Sequence, residues 1–336
     1  MNRRLFGPLI LVLSLVVAFV IAEAGLRLAS KYWLSVYDVE MWRYARQIKV
    51  LSRYPGVIEE QRPNASAYLM GARVRTEEHG FRLPDPATEA RRQPTDRVAV
   101  AVGDSLTFGW GVPEGETFPD QLERLLAERC PRQGGRRATV HNAGIGNCNT
   151  YMELARYKLR IRPYLRPDWV IIGFSFNDAE ADPVPSTNPF LWHSALLALA
   201  SSRILKQSDP MLRDYHSYYV GLFTDGLPGW EHTKAAIREL GKILHDDGIP
   251  GTLIVLPELH DPHDPGLAEA FSRVAQVARQ SGFEVVDPGP SFPPSPPKTG
   301  NGWESYWVSR EDAHPNAKAQ SIYARVLADS IDACRP

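Results

Sequence analysis

The feature that most constrains the fold of this chain is a series of short apolar runs after residue 96. These runs alternate with segments of helical spacing and span residues 97–102, 138–141, 168–174, 252–256 and 283–287. Short runs without polar alternation are typical of strands that are buried on both faces. Five such strands separated by helices predict an α/β fold with a parallel sheet. The sequence therefore predicts a three-layer α/β/α sandwich around a five-stranded parallel sheet.

Helical patterns fill the connections between the predicted strands. They span residues 117–130, 150–165, 233–247, 265–281 and 316–331. Thr150 is followed three positions later by Glu153, a spacing that is typical of a capping box at a helix start. Asp264 and Pro265 are typical of an N-cap and a first turn, and Gly248 is typical of a helix stop. Start and stop signals thus agree with the predicted alternation.

The chain begins with an apolar segment long enough to cross a membrane. No charged residue occurs from Leu5 to Ala22, and a helix of that length spans about 27 Å, close to the hydrocarbon thickness of a bilayer. Two arginines precede it, and basic residues favour the cytoplasmic side. We therefore expect residues 1–25 to be an uncleaved, single-pass signal anchor in the inner membrane, with the remainder in the periplasm. A cleavable signal peptide is the alternative, because Ala22-Glu23-Ala24 is similar to a cleavage site.

Composition divides the rest of the chain into two parts. Residues 26–96 are a lead-in segment rich in aromatic residues and arginine, and residues 97–336 hold the predicted sandwich. A polar stretch around Pro94 is typical of a boundary between them. Residues 180–232 interrupt the alternation with a long insertion, which is typical of a lid or a substrate-binding rim. Additional core packing is the alternative interpretation of this insertion.

Charge and motif content exclude several function classes. Lys and Arg number 38 against 39 Asp and Glu, a net charge of −1, so the chain has no basic excess to bind nucleic acid. Three cysteines fit neither a disulfide scaffold nor a four-cysteine zinc site. Nucleotide-binding glycine motifs are absent, and we expect no cofactor. His260, His263 and Asp264 are ligand types at close spacing, but we expect no metal because Asp264 is explained as an N-cap; His260 is a candidate for the substrate rim.

Four polar clusters lie where a parallel sheet binds its ligands. They span residues 103–106, 142–147, 175–178 and 312–316. Ligands of a doubly wound sheet bind beyond the carboxyl ends of its strands, so we expect these clusters to lie together. A serine needs an imidazole to take its proton, and the oxyanion that forms needs fixed hydrogen-bond donors. Ser105, His314 and the nearby asparagines therefore supply the groups for acyl transfer.

In this order the clusters resemble the SGNH/GDSL hydrolase family. The sequences GDSL at 103–106, N-x-G at 142–144, N-D at 177–178 and D-x-H-P-N at 312–316 match four blocks of that family. The resemblance implies that Ser105 is the nucleophile and His314 the base. It also implies that the N–H of Ser105 and the side-chain amide of Asn177 belong to the oxyanion hole, and that the fold is flavodoxin-like. The N-terminal anchor is similar to that of envelope-anchored bacterial members.

Two positions depart from the family's pattern. The second block usually reads N-x-G-x-x-G, and its last glycine supplies an oxyanion-hole N–H, but this chain has Asn147 there. Because asparagine tolerates the left-handed region, we expect the N–H of Asn147 to be this donor, with Gly146 as the alternative. Many members have Asp three residues before the histidine, where this chain has Glu311. We expect Asp312 to orient His314, with Glu311 as the alternative.

The sequence thus predicts a cofactor-free serine esterase that cleaves a carboxylic ester through an acyl-enzyme on Ser105. Its expected partners are an ester or acylated glycan substrate and the membrane. One alternative is an O-acyltransferase or deacetylase that acts on an envelope polysaccharide through the same acyl-enzyme. Another is a non-catalytic glycan-binding protein that uses Trp303, Tyr306 and Trp307 as a sugar platform.

Overall fold

A computed structural model of the chain describes residues 3–34, 36–129, 137–181, 191, 193–206, 214–296 and 302–330. Its α-helices are α1 (Arg3–Tyr32), α2 (Tyr37–Gln47), α3 (Pro86–Glu89), α4 (Ser105–Phe108), α5 (Phe118–Arg129), α6 (Thr150–Arg156), α7 (Arg162–Leu165), α8 (Ala195–Lys206), α9 (Tyr215–Leu222), α10 (Pro228–Asp247), α11 (Pro265–Gln280) and α12 (Ala317–Ser330). A π-helix (Tyr157–Ile161) joins α6 to α7, and two 3₁₀ helices span Gly289–Ser291 and Gly302–Tyr306. The strands are β1 (Lys49–Leu51), β2 (Glu59–Gln61), β3 (Ser66–Leu69), β4 (Ala72–Arg75), β5 (Arg97–Gly103), β6 (Ala138–Asn142), β7 (Trp169–Phe174), β8 (Gly251–Val255), β9 (Glu284–Val286), β10 (Trp307–Ser309) and β11 (Asp312–Pro315).

The centre of the fold is one parallel sheet with the strand order β6-β5-β7-β8-β9. Val100 of β5 lies opposite His141 of β6 on one side and Val170 of β7 on the other. This order, in which the second strand along the chain forms one edge of the sheet, is that of flavodoxin-like folds. The predicted five-stranded parallel sheet is confirmed, and every strand begins and ends within one residue of its predicted bounds.

Alternate residues of each strand pack against helices on opposite faces of the sheet. Val100 and Val102 lie in one core with side chains of α6, α10 and α11. Ala99 and Ala101 lie in a second core with side chains of α5 and α12. Because both faces are covered, the strands are mostly apolar and do not alternate between apolar and polar residues. The predicted three-layer sandwich is confirmed.

The capping box predicted at Thr150 and Glu153 is wrong. The N-cap of α6 is Asn149, whose side-chain oxygen accepts a hydrogen bond from the N–H of Met152 at 3.0 Å. Thr150 is the first helical residue, and among the residues that the structure describes neither its hydroxyl nor the Glu153 carboxyl has a hydrogen-bond partner. With Asn149 as the N-cap, Glu153 is the fourth helical residue, whereas a capping box has its acid at the third.

The predicted limits at Asp264 and Gly248 agree with the structure, whereas the predicted start of α10 does not. Asp264 caps α11 by accepting a hydrogen bond from the N–H of Leu267 at 2.8 Å. Gly248 ends α10 with a φ of +69°, a left-handed conformation that favours glycine. The start of α10 differs, because the helix begins at Pro228 and not at the predicted position 233. Proline fits the first turn of a helix, where its missing N–H costs no hydrogen bond.

The lead-in segment packs against the sandwich beside the end of β5. It forms α2, the antiparallel hairpins β1–β2 and β3–β4, and the short helix α3. Tyr44 of α2 and Ile48, its C-cap, share a small core with Phe108 and Trp110, which follow Ser105 by a few positions. The lead-in therefore contacts the turn on which the predicted nucleophile stands. The division into residues 26–96 and 97–336 stays a prediction.

Helix α1 contains the apolar N-terminal run. Phe6–Tyr32 is long and apolar enough for a membrane anchor or a signal sequence, and its most apolar 18-residue window has a mean hydropathy of 2.7 and no buried residue. The Glu23 carboxylate accepts hydrogen bonds from the N–H groups of Ala195 and Leu196 at 2.9 and 2.8 Å. Arg27 donates to the carbonyl of His193 at 2.6 Å. These contacts join the end of α1 to the start of α8.

Some predicted features lie outside the described residues. They include positions 182–190, 192 and 207–213 of the insertion, and Cys130 and Cys334. The described part of the insertion includes α8 and α9. In α9 the ring of Tyr219 lies 4.5 Å from that of Phe176, centroid to centroid, in the loop that follows β7. The insertion thus contributes side chains to the carboxyl edge of the sheet.

Candidate active site

Ser105 lies at the tight turn between β5 and α4. Asp104 caps this short helix, since its side chain accepts a hydrogen bond from the N–H of Leu106 at 2.8 Å. Gly103 allows the turn to close, because a Cβ at this position would lie 2.1 Å from Oγ1 of Thr107. Ser105 is therefore the first residue of α4, at the edge of the sheet where ligands of such folds bind.

The β10–β11 hairpin brings His314 to Ser105. Nε2 of His314 lies 2.9 Å from Oγ of Ser105, and its Nδ1 lies 2.5 Å from Oδ1 of Asp312. Asp312 is buried, and its second oxygen accepts a hydrogen bond from Nε1 of Trp110 at 2.9 Å. Glu311 is exposed, and its carboxylate accepts a hydrogen bond from a serine hydroxyl of the same hairpin. Of the two predicted acids, the structure therefore places Asp312 against the imidazole.

The Asp312 carboxylate favours the protonated form of the imidazole. Burial alone would lower the pKa of His314, but the hydrogen bond and negative charge of Asp312 outweigh it, and the pKa is raised above its usual range. Burial alone would raise the pKa of Asp312, but hydrogen bonds from His314 and Trp110 outweigh that effect, and the pKa is lowered. An imidazole in this setting is suited to hold a proton taken from a hydroxyl.

The 142–147 loop carries the two predicted backbone donors. Gly146 lies beside the nucleophile, since a Cβ there would lie 3.7 Å from Cβ of Ser105. The N–H of Gly146 donates to the hydroxyl of Tyr44 at 3.1 Å. Asn147 has the left-handed φ of +60° that was expected of it. No described residue accepts a hydrogen bond from the N–H of Asn147 or of Ser105, so these two groups, and not Gly146, remain for a ligand.

Ser175 fixes the amide of Asn177, the third predicted donor. Oγ of Ser175 lies 2.5 Å from Oδ1 of Asn177 and 3.0 Å from Oδ2 of Asp104. The Ser175 hydroxyl is placed to donate to either of these oxygens, and burial raises the pKa of Asp104. The Asn177 side chain is also hydrogen-bonded to Asp104, and because Nδ2 carries two N–H groups, one of them can still donate to a ligand. Asp104 thus contacts Ser175 as well as capping α4.

The lead-in holds the 142–147 loop from outside the sandwich. Nζ of Lys49 donates to the carbonyl of Gly146 at 2.6 Å, and Nε2 of Gln61 donates to that of Gly144 at 3.0 Å. Lys49, Gln61 and Tyr44 precede the loop residues that they contact by 97, 83 and 102 positions, respectively. Sequence analysis missed all three, because no motif marks them and their burial is not visible in a single sequence.

Three buried carboxyl groups lie behind the nucleophile. They are Asp104, Glu153 and Asp178, and burial raises the pKa of each. Neighbouring carboxylates raise the pKa values of Glu153 and Asp178 further. Asp178 accepts a hydrogen bond from the N–H of Ser175 at 2.6 Å and so holds the loop of Asn177. The cluster therefore supports the site and retains protons that exposed carboxyls would release.

The loop after β8 does not gather its side chains around a metal. Nδ1 of His260 is hydrogen-bonded to Glu258, whereas Nε2 of His263 lies 2.6 Å from the carbonyl oxygen of Pro293. Asp264 caps α11. These ligand-type groups therefore use their polar atoms on three separate partners.

The sugar platform proposed for the non-catalytic alternative is not formed. Trp303 and Tyr306 are only 9% and 6% exposed. Both belong to the core between the sheet and α12, where the ring of Tyr306 lies 5.1 Å from that of Phe292. Trp307 alone of the three is half-buried. Burial of two rings contradicts this alternative, because a sugar cannot stack on a ring that is packed inside a core.

Comparison with known proteins agrees with this arrangement. A model of the GDSL-like lipase/acylhydrolase family matches residues 101–322, a range that includes Ser105, Asn147, Asn177 and His314. A search of curated proteins found no match.

Solved structures with similar folds were also found. LAE5, an α/β hydrolase from the metagenome of Lake Arreo in Spain, is 17% identical with a TM-score of 0.46, over 71% of this chain and 97% of that one. A putative lipolytic protein of the G-D-S-L family from Desulfitobacterium hafniense is 14% identical with a TM-score of 0.42, over 70% and 100%. A two-domain esterase active on acetylated mannans is 16% identical with a TM-score of 0.45, over 70% and 49%.

Proposed function

The chain belongs to the GDSL-like lipase/acylhydrolase family and is an ester-acting hydrolase, and we propose that it works as a serine esterase through an acyl-enzyme on Ser105. The observation that carries this proposal is the chain of hydrogen bonds from Ser105 through His314 to Asp312, with distances of 2.9 and 2.5 Å. A hydroxyl, an imidazole and a buried carboxylate in this order are the parts of an activated serine nucleophile.

In the first half of the reaction, Oγ of Ser105 forms a bond to the carbonyl carbon of the ester, and its proton moves to Nε2 of His314. The carbonyl oxygen becomes an oxyanion. The N–H groups of Ser105 and Asn147 and the Nδ2–H group of Asn177 donate to it. The carbon–oxygen bond to the alcohol then breaks, and the alcohol leaves with the proton from His314.

In the second half, water takes the place of the alcohol. The water oxygen attacks the acyl carbon while His314 accepts a proton from the water. The same donors stabilise the second oxyanion. The bond to Ser105 breaks, Ser105 recovers its proton from His314, and a carboxylic acid is released. Asp312 stabilises the imidazolium that forms in each half, which agrees with the raised pKa of His314.

A serine variant tests the nucleophile. Ser105→Ala is expected to lower the hydrolysis of 4-nitrophenyl acetate by at least about 1000-fold and to abolish labelling by a fluorophosphonate probe. Ser321→Ala, on α12, is the matched control, because its hydroxyl only donates to the carbonyl of Lys318. Circular dichroism spectra of both variants check that they fold. Full activity of Ser105→Ala would refute the acyl-enzyme on this residue.

We further propose that α1 is an uncleaved signal anchor and that the catalytic part lies in the periplasm. The contacts of Glu23 and Arg27 with the start of α8 support an uncleaved helix. The two arginines before the apolar run favour a cytoplasmic N-terminus and hence a periplasmic catalytic part. Cleavage after Ala24 would remove Glu23 and leave the first N–H groups of α8 without their acceptor, a loss comparable to that of an N-cap, about 1 kcal/mol.

Fractionation and mass spectrometry test the anchor. The full-length chain is expected to stay with membranes after carbonate extraction, to begin at its first residues, and to be digested by protease added to spheroplasts. A periplasmic chain that begins after Ala24 would show that α1 is a cleaved signal peptide. Protection from protease in spheroplasts would show that the catalytic part faces the cytoplasm.

A further inference from the structure

A continuous row of aromatic rings lies beside the candidate active site. This aromatic wall consists of Phe176, Tyr215, Tyr219, His260 and Trp307. From one ring to the next, the centroids are separated by 4.5 Å (Phe176–Tyr219), 4.7 Å (Tyr219–Tyr215), 5.3 Å (Tyr215–His260) and 4.8 Å (His260–Trp307). The rings come from four separate parts of the chain, and none of them takes part in the catalytic steps proposed above.

Both ends of the aromatic wall adjoin residues of the site. Phe176 directly precedes Asn177, the side-chain donor. At the other end, Trp307 of β10 lies opposite Pro315 of β11, which directly follows His314. One end of the wall is therefore next to Asn177 in the chain, and the other end is paired with the strand that carries His314.

His260 and Glu258 form a second pair of an acid and a histidine within this wall. The Glu258 carboxylate is hydrogen-bonded to Nδ1 of His260, and it accepts the backbone N–H of His260 at 2.9 Å. The hydroxyl of Tyr215 lies 3.5 Å from the same carboxylate. The Glu258 side chain is 6% exposed, whereas that of His260 is 52% exposed. No described residue bonds to Nε2 of His260, which is thus oriented by a buried acid and open to a ligand.

The chemistry of the wall fits a neutral compound with several hydroxyl groups. Tyr219 is only 6% exposed and supports the wall from behind, whereas Phe176, Tyr215 and Trp307 are partly exposed. These three rings offer apolar surface to which the C–H face of a sugar ring can pack, and Nε2 of His260 offers a hydrogen bond to a hydroxyl. Any positive charge on His260 is balanced by Glu258. An anionic ligand would need a positive charge that no neighbouring carboxylate neutralises, whereas His260 is paired with Glu258. The wall therefore fits an uncharged sugar better.

We propose that the aromatic wall is the subsite for the alcohol part of the ester, and that this alcohol is a sugar residue. The inference rests on the proposed serine esterase mechanism. In that mechanism the leaving alcohol takes its proton from His314, so it must lie on the His314 side of Ser105, where Trp307 and His260 are found. The acyl group then lies away from the wall.

Two acetate esters with different alcohols test the subsite on the full-length protein. Methyl 6-O-acetyl-glucopyranoside has a sugar that can reach the wall, whereas vinyl acetate has an alcohol part of only two carbons. His260→Ala is expected to raise KM for the sugar ester about tenfold, as for one lost hydrogen bond, and to leave kcat/KM for vinyl acetate within about twofold. Trp307→Leu is expected to act in the same direction.

The matched control is His245→Ala, an exposed histidine near the end of α10, at the opposite edge of the sheet from the site. It is expected to change neither substrate's kinetics. Equal losses on both esters in His260→Ala, or no loss on either, would overturn the subsite. A wild type that cleaves vinyl acetate but not the sugar ester would also overturn it. Inactivity toward both esters would instead contradict the esterase proposal on which the subsite rests.

Discussion

The backbone N–H of Gly146 donates a hydrogen bond to the hydroxyl of Tyr44, with 3.1 Å between nitrogen and oxygen. Tyr44 belongs to the lead-in and is buried, and Gly146 lies beside Ser105. This hydrogen bond uses the N–H of Gly146, which the sequence offered as the alternative to Asn147 as an oxyanion donor. The N–H of Gly146 is therefore occupied, which agrees with the proposed role of Asn147 and joins the lead-in to the loop beside Ser105.

Removal of the Tyr44 hydroxyl is expected to lower kcat more than it raises KM. Tyr44→Phe leaves a buried N–H without an acceptor and frees the loop to move, which costs about 1 to 3 kcal/mol. We expect kcat for 4-nitrophenyl acetate to fall about tenfold while KM stays within about twofold. Tyr68→Phe, whose ring is 56% exposed on β3 of the same lead-in, is the control. An equal effect of both substitutions would contradict a role of Tyr44 in the site.

Substitution of Asp312 is expected to lower activity, whereas substitution of its neighbour Glu311 is expected to leave activity nearly unchanged. Asp312→Asn removes the charge that stabilises the imidazolium of His314, and we expect kcat/KM to fall by at least about 100-fold. Glu311→Gln is expected to stay within about twofold of the wild type, because this side chain is exposed and lies against the hairpin's own serine. Steady-state kinetics on both variants distinguish the two acids, and a larger loss in Glu311→Gln would reverse the assignment.

The pH profile follows from the raised pKa of His314. Only the neutral imidazole accepts a proton from Ser105, so activity is lost as pH falls through this pKa. We expect the acid limb of kcat/KM to have its midpoint above the ordinary histidine value of about 6.5. In Asp312→Asn the limb is expected to move to lower pH, because the charge that raises the pKa is gone. A limb that stays in place would show that another group controls it.

Asn177 and Ser175 are expected to show a graded loss. Asn177→Ala removes an oxyanion donor and is expected to lower kcat by about 100-fold or more. Ser175→Ala keeps this donor but removes the hydroxyl that holds its amide oxygen at 2.5 Å, so we expect a loss of about tenfold. Single-turnover measurements of acylation check both values. A loss in Ser175→Ala as large as that in Asn177→Ala would mean that Ser175 does more than orient the amide.

Strand limits and the main site residues could be predicted because local sequence determines them. A strand buried on both faces, such as β5, shows a continuous apolar run. Ser105 and Asn177 lie in the turns after β5 and β7, and His314 lies in β11 shortly before α12. These places are close to the carboxyl ends of the strands, where ligands bind in this fold. The N-cap of α6 could not be predicted as securely, because Asn149 and Thr150 are both good capping residues and only the backbone conformation shows which one is used.

The support of the oxyanion loop could not be predicted. Lys49 and Gln61 contact this loop through tertiary packing between the lead-in and the sandwich, and neither belongs to a recognisable motif. The choice between Asn147 and Gly146 depended on the same packing, because it turns on a bond to Tyr44. Sequence patterns predict faces and caps, whereas contacts between separate segments follow from the packed structure.

Glu153 is expected to make the stability of the protein fall with rising pH. Burial and the nearby charge of Asp104 raise its pKa well above the ordinary value, so the folded state retains a proton that the unfolded chain releases above about pH 4.3. The free energy of unfolding therefore decreases as pH rises from that value toward the raised pKa. Glu153→Gln removes this titration, and its Tm relative to wild type should increase between about pH 5 and about pH 8 in thermal melts. Glu239→Gln, at an exposed ion pair with Lys158, serves as the control; parallel pH dependences of the Glu153→Gln and wild-type Tm would contradict a proton held on Glu153.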